Sequence, residues 1–68
     1  MKINVKIMRT GETKKIVLEK GSTVENLLDK IKVKPDAIIA MSNDKPIPVD
    51  NPLNENQEIL IIQVASGG

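Results

Sequence analysis

Residues 2–9 alternate between apolar and polar residues, a period of two that is typical of a half-buried strand. Residues 13–19 are predicted to return as a second strand, with Val17 on its outer face. The apolar positions that share the inner side are Ile3, Val5, Ile7, Ile16 and Leu18. Residues 10–12, Thr-Gly-Glu, lie between the two segments and indicate a turn. The pattern therefore predicts an amino-terminal β-hairpin.

The next apolar residues recur with the period of a helix. They occupy positions i, i+3, i+4 and i+7 and form one stripe, made of Val24, Leu27, Leu28 and Ile31. Ser22 precedes Glu25 by three residues, which is the spacing of a capping box, so we expect Ser22 to cap this helix. Pro35 restricts the backbone before it, and the helix is predicted to end by about Val33.

A second pair of strands is predicted after the helix. Residues 37–41 and 45–49 have strand character, and Ser-Asn-Asp at 42–44 indicates a turn between them. Because proline has no N–H to donate to a neighbouring strand, Pro46 and Pro48 make the second strand short and place it at a sheet edge.

The last strand is predicted to lie in the middle of the sheet. Residues 50–53 indicate a turn or a single 3₁₀ turn, from which Leu53 returns to the core, and a polar loop follows. Residues 58–64 are almost continuously apolar, which is typical of a strand paired on both sides. The resulting order is β-β-α-β-β-β. We therefore predict an α+β fold in which one helix packs across a mixed sheet and the first and last strands are parallel neighbours.

The composition argues against catalysis and metal binding by the chain itself. A chain of 68 residues forms one small domain, and this one has no histidine and no cysteine. It therefore lacks the usual general base, a thiolate nucleophile and the commonest metal ligands. The serines have no histidine partner, and the carboxylates show no acid–base pair or metal-binding spacing. We predict that the protein is not an enzyme and holds no metal or cofactor of its own.

Charge and hydropathy limit the partners. Ten basic residues stand against nine acidic ones, and there is no Phe, Tyr or Trp to stack on bases, which argues against direct nucleic-acid binding. The lysines favour the amino-terminal half, which indicates either a weak basic face or an ordinary solvated surface. No apolar run approaches the roughly 20 residues of a membrane span, and no secretion signal is evident, so we expect a cytoplasmic protein.

The chain ends in Gly67 and Gly68, which follow the apolar final strand after only Ala65 and Ser66. Glycine lacks a Cβ, so such an end can thread a narrow channel and adapt its backbone to an enzyme. We interpret residues 1–64 as the folded domain and residues 65–68 as a flexible tail that presents the terminal carboxylate of Gly68. Small residues are common at chain ends, and a cloning scar is another source of Gly-Gly.

Three features carry a resemblance to a known family. They are the order of the elements, residues 52–61 (Pro-Leu-Asn-Glu-Asn-Gln-Glu-Ile-Leu-Ile) and the tail at 64–68 (Val-Ala-Ser-Gly-Gly). In these features the whole chain resembles the ThiS/MoaD sulfur-carrier family, whose archaeal relatives include small ubiquitin-like modifiers. The resemblance implies the ubiquitin-like β-grasp fold. Many relatives carry an acidic-Gly-acidic loop where this chain has Glu-Asn-Gln at 55–57.

The resemblance also implies a chemistry for the tail. A partner adenylyltransferase of the ubiquitin-activating type would use ATP to adenylate Gly68, with Gly67 and Ser66 threading into its site. Conversion to a thiocarboxylate would then deliver sulfur to a synthase or target protein in thiamin, molybdopterin or tRNA thiolation. The alternatives are a ubiquitin-like modifier conjugated to lysines and a non-covalent β-grasp binding module.

A docking face for the activating partner is predicted beside the tail. Neighbouring residues of a strand point to opposite faces, and the family resemblance directs the odd-numbered isoleucines of the last strand to the helix. Leu60 and Ile62 then lie on the open face of the sheet, near Lys6 and Met8. An apolar patch rimmed by charge suits a transient partner, and we expect the free protein to be a monomer. Alternatively, these residues complete a core or cover a dimer interface.

Overall fold

The fold consists of five strands, one α-helix and one 3₁₀ turn, seen in a computed structural model that describes residues 1–64. The elements are β1 (Lys2–Ile7), β2 (Glu12–Val17), α1 (Val24–Ile31), the 3₁₀ turn (Pro35–Ala37), β3 (Ile38–Ser42), β4 (Lys45–Ile47) and β5 (Glu58–Gln63). The sheet order is β2-β1-β5-β3-β4, in which β1 and β5 are parallel and the other neighbours are antiparallel. The predicted order of elements, the central last strand and the edge position of β4 are confirmed.

The turn of the first hairpin begins earlier than the sequence predicted. β1 ends at Ile7, and residues 8–11 form the turn before β2 begins at Glu12. The N–H of Gly11 donates to the carbonyl oxygen of Ile7 at 2.8 Å. Gly11 has a φ of +74°, a conformation that glycine adopts without steric penalty. The predicted turn at residues 10–12 is therefore wrong by two residues at its start, because this hydrogen bond closes a wider loop.

The cap of α1 also differs from the prediction. Thr23 is the N-cap residue, in an extended conformation with φ −107° and ψ 175°. The Oδ1 atom of Asn26 accepts hydrogen bonds from the backbone N–H of Thr23 at 2.9 Å and from its hydroxyl at 3.1 Å. The predicted capping box of Ser22 and Glu25 is wrong, because the same spacing one residue later forms the cap.

Backbone groups of a distant loop close the amino-terminal end of α1. The first N–H groups of any helix lack carbonyl partners within the helix. Here three backbone bonds join this end to the loop after β4: Val24 N–H to Asn51 O (3.1 Å), Glu25 N–H to Val49 O (2.8 Å) and Leu53 N–H to Ser22 O (2.9 Å). An isolated antiparallel bridge pairs Thr23 with Pro52. These bonds fix where the helix starts, because they hold the Ser22–Thr23 segment extended against the loop.

The core lies between α1 and one face of the sheet. Every buried residue among residues 1–64 is apolar. The fully covered side chains come from the helix stripe, from β1 and from the odd-numbered positions of β5: Val24, Leu27, Leu28, Ile3, Val5, Ile59 and Ile61. Leu53 is 4% exposed, as its predicted return to the core requires. Of the two alternatives predicted for residues 50–53, a turn and a single 3₁₀ turn, the structure has a turn, in which the N–H of Asn51 donates to the carbonyl oxygen of Pro48 at 3.1 Å; the 3₁₀ turn lies at Pro35–Ala37.

Candidate functional site

A polar loop holds the start of β5 in register beside β1. The backbone N–H of Lys2 donates to Glu55 Oε2 at 2.7 Å, and the N–H of Asn56 donates to the carbonyl oxygen of Lys2 at 2.7 Å. Asn56 has a φ of 61°, the left-handed conformation that asparagine tolerates better than most residues. Because the loop contacts β1 directly, the register of the whole parallel pair is fixed at this end.

The same loop is attached to β3 on the other side. The amide nitrogen of the Gln57 side chain donates to Ser42 Oγ at 3.0 Å, and Gln57 Oε1 accepts from the backbone N–H of Asn54 at 2.8 Å. β5 is thus bracketed at its start by both of its neighbouring strands. Its side chains consequently project to fixed faces of the sheet.

Three of the predicted docking residues meet on the open face, the face of the sheet opposite α1. Lys6 and Leu60 are partners in the parallel register of β1 and β5. Met8 follows on the same side, 54% exposed, and its N–H donates to the carbonyl oxygen of Ile61 at 3.0 Å. Leu60 is half-buried, although it faces away from the helix, and it lies between its register partners Lys6 and Met41.

Ile62, the fourth predicted docking residue, lies one step further toward the tail. It is half-buried and pairs with Ile39 of β3, while Leu60 pairs with Met41 of the same strand. Directly opposed residues of antiparallel strands share a face, so Ile39 and Met41 extend the apolar surface across β3. We call these five residues, Met8, Ile39, Met41, Leu60 and Ile62, the apolar patch.

Sequence reasoning missed the two residues that β3 contributes. Ile39 is 42% exposed and alternates with the buried Ile38 and Ala40. That alternation is visible in the sequence and signals that Ile39 points away from the core. What the sequence did not supply was the pairing of β3 with β5, which brings Ile39 and Met41 beside Leu60 and Ile62.

The apolar patch includes a recess with charged groups at its border. The recess has a volume of about 560 Å³, and Met8, Met41 and Leu60 line it. Lys6 borders the recess together with the acidic residues Asp44 and Glu58. A partner side chain that enters it would therefore meet apolar contacts inside and charges of both signs outside.

The described part of the chain stops where the predicted tail begins. The N–H of Val64 donates to the carbonyl oxygen of Ala37 at 3.1 Å, which holds the end of β5 against the 3₁₀ turn. Nearby, Arg9 Nη1 donates to Gln63 Oε1 at 3.4 Å. The predicted threading residues Ser66 and Gly67 and the predicted reactive residue Gly68, like the tail boundary at 65–68, lie outside the described residues.

Within residues 1–64, no group of three or more histidine, cysteine, aspartate or glutamate side chains is arranged to hold a metal ion. Across the same residues, no helix is long and apolar enough to cross a membrane.

The sequence matches one protein family over nearly its full length. A family model described as small archaeal modifier protein 2 matches residues 1–65. The chain belongs to this family. The resemblance to ThiS/MoaD-like proteins with archaeal modifier relatives is thereby confirmed. No curated protein is similar enough in sequence to count as a match.

Solved structures of similar proteins bear out the fold of this small archaeal modifier family member. SAMP1 from Haloferax volcanii superposes with a TM-score of 0.76 at 16% identity, with all of both chains covered. A protein described as molybdopterin converting factor subunit 1 from Pyrococcus furiosus gives 0.76 at 18% identity, covering 94% of this chain and 98% of its own. A ubiquitin from Caldiarchaeum subterraneum gives 0.79 at 17% identity, covering 100% and 98%. At such identities the likeness establishes the ubiquitin-like β-grasp fold alone.

Family membership together with this fold supports a role as a sulfur carrier or as a ubiquitin-like modifier.

Proposed function

We propose that Gly68 carries the terminal carboxylate of the chain and that a partner enzyme of the ubiquitin-activating type activates it for sulfur transfer. The observation that carries this proposal is the match of residues 1–65 to the small archaeal modifier protein 2 family. The sequence Ser66-Gly67-Gly68 directly follows the matched region. In this proposal the protein is a co-substrate, and the partner supplies ATP and the catalytic groups.

Activation converts a poor acyl donor into a good one. A carboxylate oxygen of Gly68 attacks the α-phosphorus of ATP, and pyrophosphate leaves, which produces an acyl-adenylate. Sulfide, released from a persulfide of the partner by a thiol reductant, then attacks the carbonyl carbon and AMP leaves. The product is a thiocarboxylate, whose sulfur can be passed to a synthase in thiamin or molybdopterin formation or in tRNA thiolation.

The small residues of the tail suit this reaction. Since Gly67 and Gly68 have no Cβ, the carbonyl carbon of Gly68 is open to attack from both sides. Four residues of extended chain beyond Val64 span at most ~14 Å, so the partner must approach the folded body closely to reach the carboxylate.

The apolar patch is the surface that we propose for this approach. It lies on the open face beside the end of β5, with Lys6, Asp44 and Glu58 at its border. A protein interface typically combines an apolar centre with a polar rim, which is how the patch and its charged border are arranged. Docking there would position the tail at the active site of the partner.

A second function uses the same activated terminus. Attack by the Nζ atom of a lysine on a target protein would give an amide bond, with loss of the activating group, in place of a thiocarboxylate. The family description as a modifier favours this candidate. The two functions differ in the nucleophile that meets the acyl group and share all steps before it.

The test is an activation assay with the purified protein, its activating enzyme, ATP and a sulfur donor, read by intact mass. We expect a mass that corresponds to replacement of one terminal oxygen by sulfur, and no such product when Gly67 and Gly68 are deleted. The mass of the untreated protein from its native cells establishes whether Gly68 is the last residue. If lysine-linked adducts form in a cell extract and no thiocarboxylate appears, conjugation replaces sulfur transfer as the function.

The docking face is tested by Leu60→Asp. This change places a charge in the apolar patch, so adenylation should fall by about tenfold or more while the fold remains intact. Asn26→Asp is the matched control, because it adds the same charge on the helix side and keeps the acceptor for Thr23. Unfolding of the Leu60→Asp protein, or equal adenylation by both variants, would refute the role of the patch.

A further inference from the structure

The two edges of the sheet are protected very differently. At one edge, β4 is only three residues long and contains Pro46, with Pro48 directly after it. Short edge strands and prolines are common means of preventing a further strand from pairing. At the other edge, β2 is six residues long, contains no proline and is exposed at five of its six positions. Only this second edge is suited to accept another strand.

The register shows which backbone groups of β2 point outward. Leu18 and Met1 exchange two hydrogen bonds: the N–H of Leu18 donates to the oxygen of Met1 at 2.8 Å, and the nitrogen of Met1 donates to the oxygen of Leu18 at 2.7 Å. Bonded and non-bonded pairs alternate along an antiparallel ladder. The N–H and C=O groups of Val17, Lys15 and Thr13 therefore face away from β1, toward the open edge.

This edge belongs to the basic half of the molecule. Residues 2–17 hold five basic side chains and one acidic one, a formal charge of +4, whereas the whole chain carries +1 and the remainder therefore carries −3. Lys14 and Lys15 are both exposed in the middle of β2, and successive strand residues point to opposite faces. An added strand would thus meet a lysine on each of its faces.

We propose that β2 binds an extended acidic peptide segment of a partner protein as a sixth strand of the sheet. The backbone of the peptide would pair with Thr13, Lys15 and Val17, and its carboxylates would lie beside Lys14 and Lys15. Strand addition of this kind takes affinity from main-chain hydrogen bonds and specificity from alternate side chains. The lysines also disfavour pairing of two copies through β2, since like charges would then stand opposite each other.

The end of β2 adds a preference for an apolar residue. Val17 is 65% exposed on the open face and is therefore available for an apolar contact with an added strand. Beside it, an open groove of about 670 Å³ runs between the end of β2 and the outer side of α1, lined by Lys20 and Lys30 and also by Glu19 and Asp29, so it adds no net charge. A peptide with an apolar residue opposite Val17 and acidic residues opposite Lys14 and Lys15 would use the apolar end and the basic centre of β2.

The experiment uses the full chain, isotopically labelled for NMR, and a blocked peptide about eight residues long, in which valines at one end can face Val17 and consecutive glutamates at the other end can face Lys14 and Lys15. At saturation we expect hydrogen exchange of the Thr13, Lys15 and Val17 amides to slow by at least about tenfold. The double substitution K14E/K15E should raise the peptide dissociation constant by about tenfold or more. The matched control, Lys45→Glu on the opposite edge strand, should change it by less than about twofold.

A second variant separates backbone pairing from charge. Lys15→Pro removes an outward N–H that makes no bond to β1, so the sheet should persist while peptide binding is lost. A peptide with lysine in place of glutamate should not bind. The proposal is overturned if that lysine peptide binds as tightly as the glutamate peptide, or if binding does not saturate up to about 1 mM peptide. It is also overturned if the NMR chemical-shift changes on peptide addition fall on the apolar patch and not on β2.

Discussion

The two neighbouring isoleucines at the end of β5 provide a direct test of which face of the strand meets the helix. Replacing Ile61 or Ile62 by alanine removes the same atoms from adjacent positions of one strand. Ile61 is 0% exposed in the core, whereas Ile62 is half-buried on the open face. Because the change in strand propensity is similar at both positions, the difference between the variants reports burial.

The expected magnitudes follow from that difference. Truncation of a fully buried isoleucine costs about 2–5 kcal/mol, since a cavity is left in the core. We expect the free energy of unfolding to fall by about 3–4 kcal/mol for Ile61→Ala. For Ile62→Ala, which leaves no closed cavity, we expect it to fall by about 1–2 kcal/mol. A difference of about 2 kcal/mol corresponds to about 8–16 °C in Tm for a chain of this size.

The assay is urea unfolding followed by far-ultraviolet circular dichroism, because the chain has no Trp, Tyr or Phe for fluorescence. A domain of this length has a total stability of about 3–10 kcal/mol. If Ile61→Ala does not fold, the pair Ile61→Val and Ile62→Val gives the same comparison, with about 0.5–1.5 kcal/mol expected for the buried position. A loss for Ile62 equal to or larger than that for Ile61 would reverse the faces and remove the basis of the proposed docking surface.

Two further predictions concern the ends of α1. Thr23→Ala should lower the free energy of unfolding by about 1 kcal/mol, and Ser22→Ala should lower it by less than about 0.5 kcal/mol, because only Thr23 occupies the N-cap position. Equal losses for the two variants in urea unfolding would contradict this assignment. Lys32 follows the helix in the left-handed conformation, with a φ of 59°, which glycine adopts at lower cost than lysine. Lys32→Gly should therefore raise the free energy of unfolding by up to about 1 kcal/mol. A lower Tm for this variant would show that the lysine makes a compensating contact.

The parts of the fold that were predictable are those in which local pattern and burial agree. The stripe of Val24, Leu27 and Leu28 identified the buried side of α1, and those three side chains are 0% exposed. The apolar run of β5 likewise predicted a strand with neighbours on both sides. In each case the spacing of apolar residues within one element contained the necessary information.

Errors arose where a distant segment decides the local structure. Ser22 and Thr23 both carry a hydroxyl three residues before a polar side chain, so the sequence alone could not distinguish the two caps. The choice is made by the bridge between Thr23 and Pro52, a contact between residues far apart in sequence. The position of Ile39 beside Ile62 could not be predicted either, because it depends on the pairing of β3 with β5.

The position of β5 determines when the molecule can fold during its synthesis on the ribosome. β1 pairs with β2 and β3 with β4, but only β5 connects these two hairpins into a single sheet. A nascent chain that lacks residues 58–63 therefore has two hairpins that are not joined in one sheet, and the contacts of β5 with β1 and β3 must wait until the last strand has been translated. Premature termination before that strand should yield an incompletely folded chain that is a substrate for proteolysis.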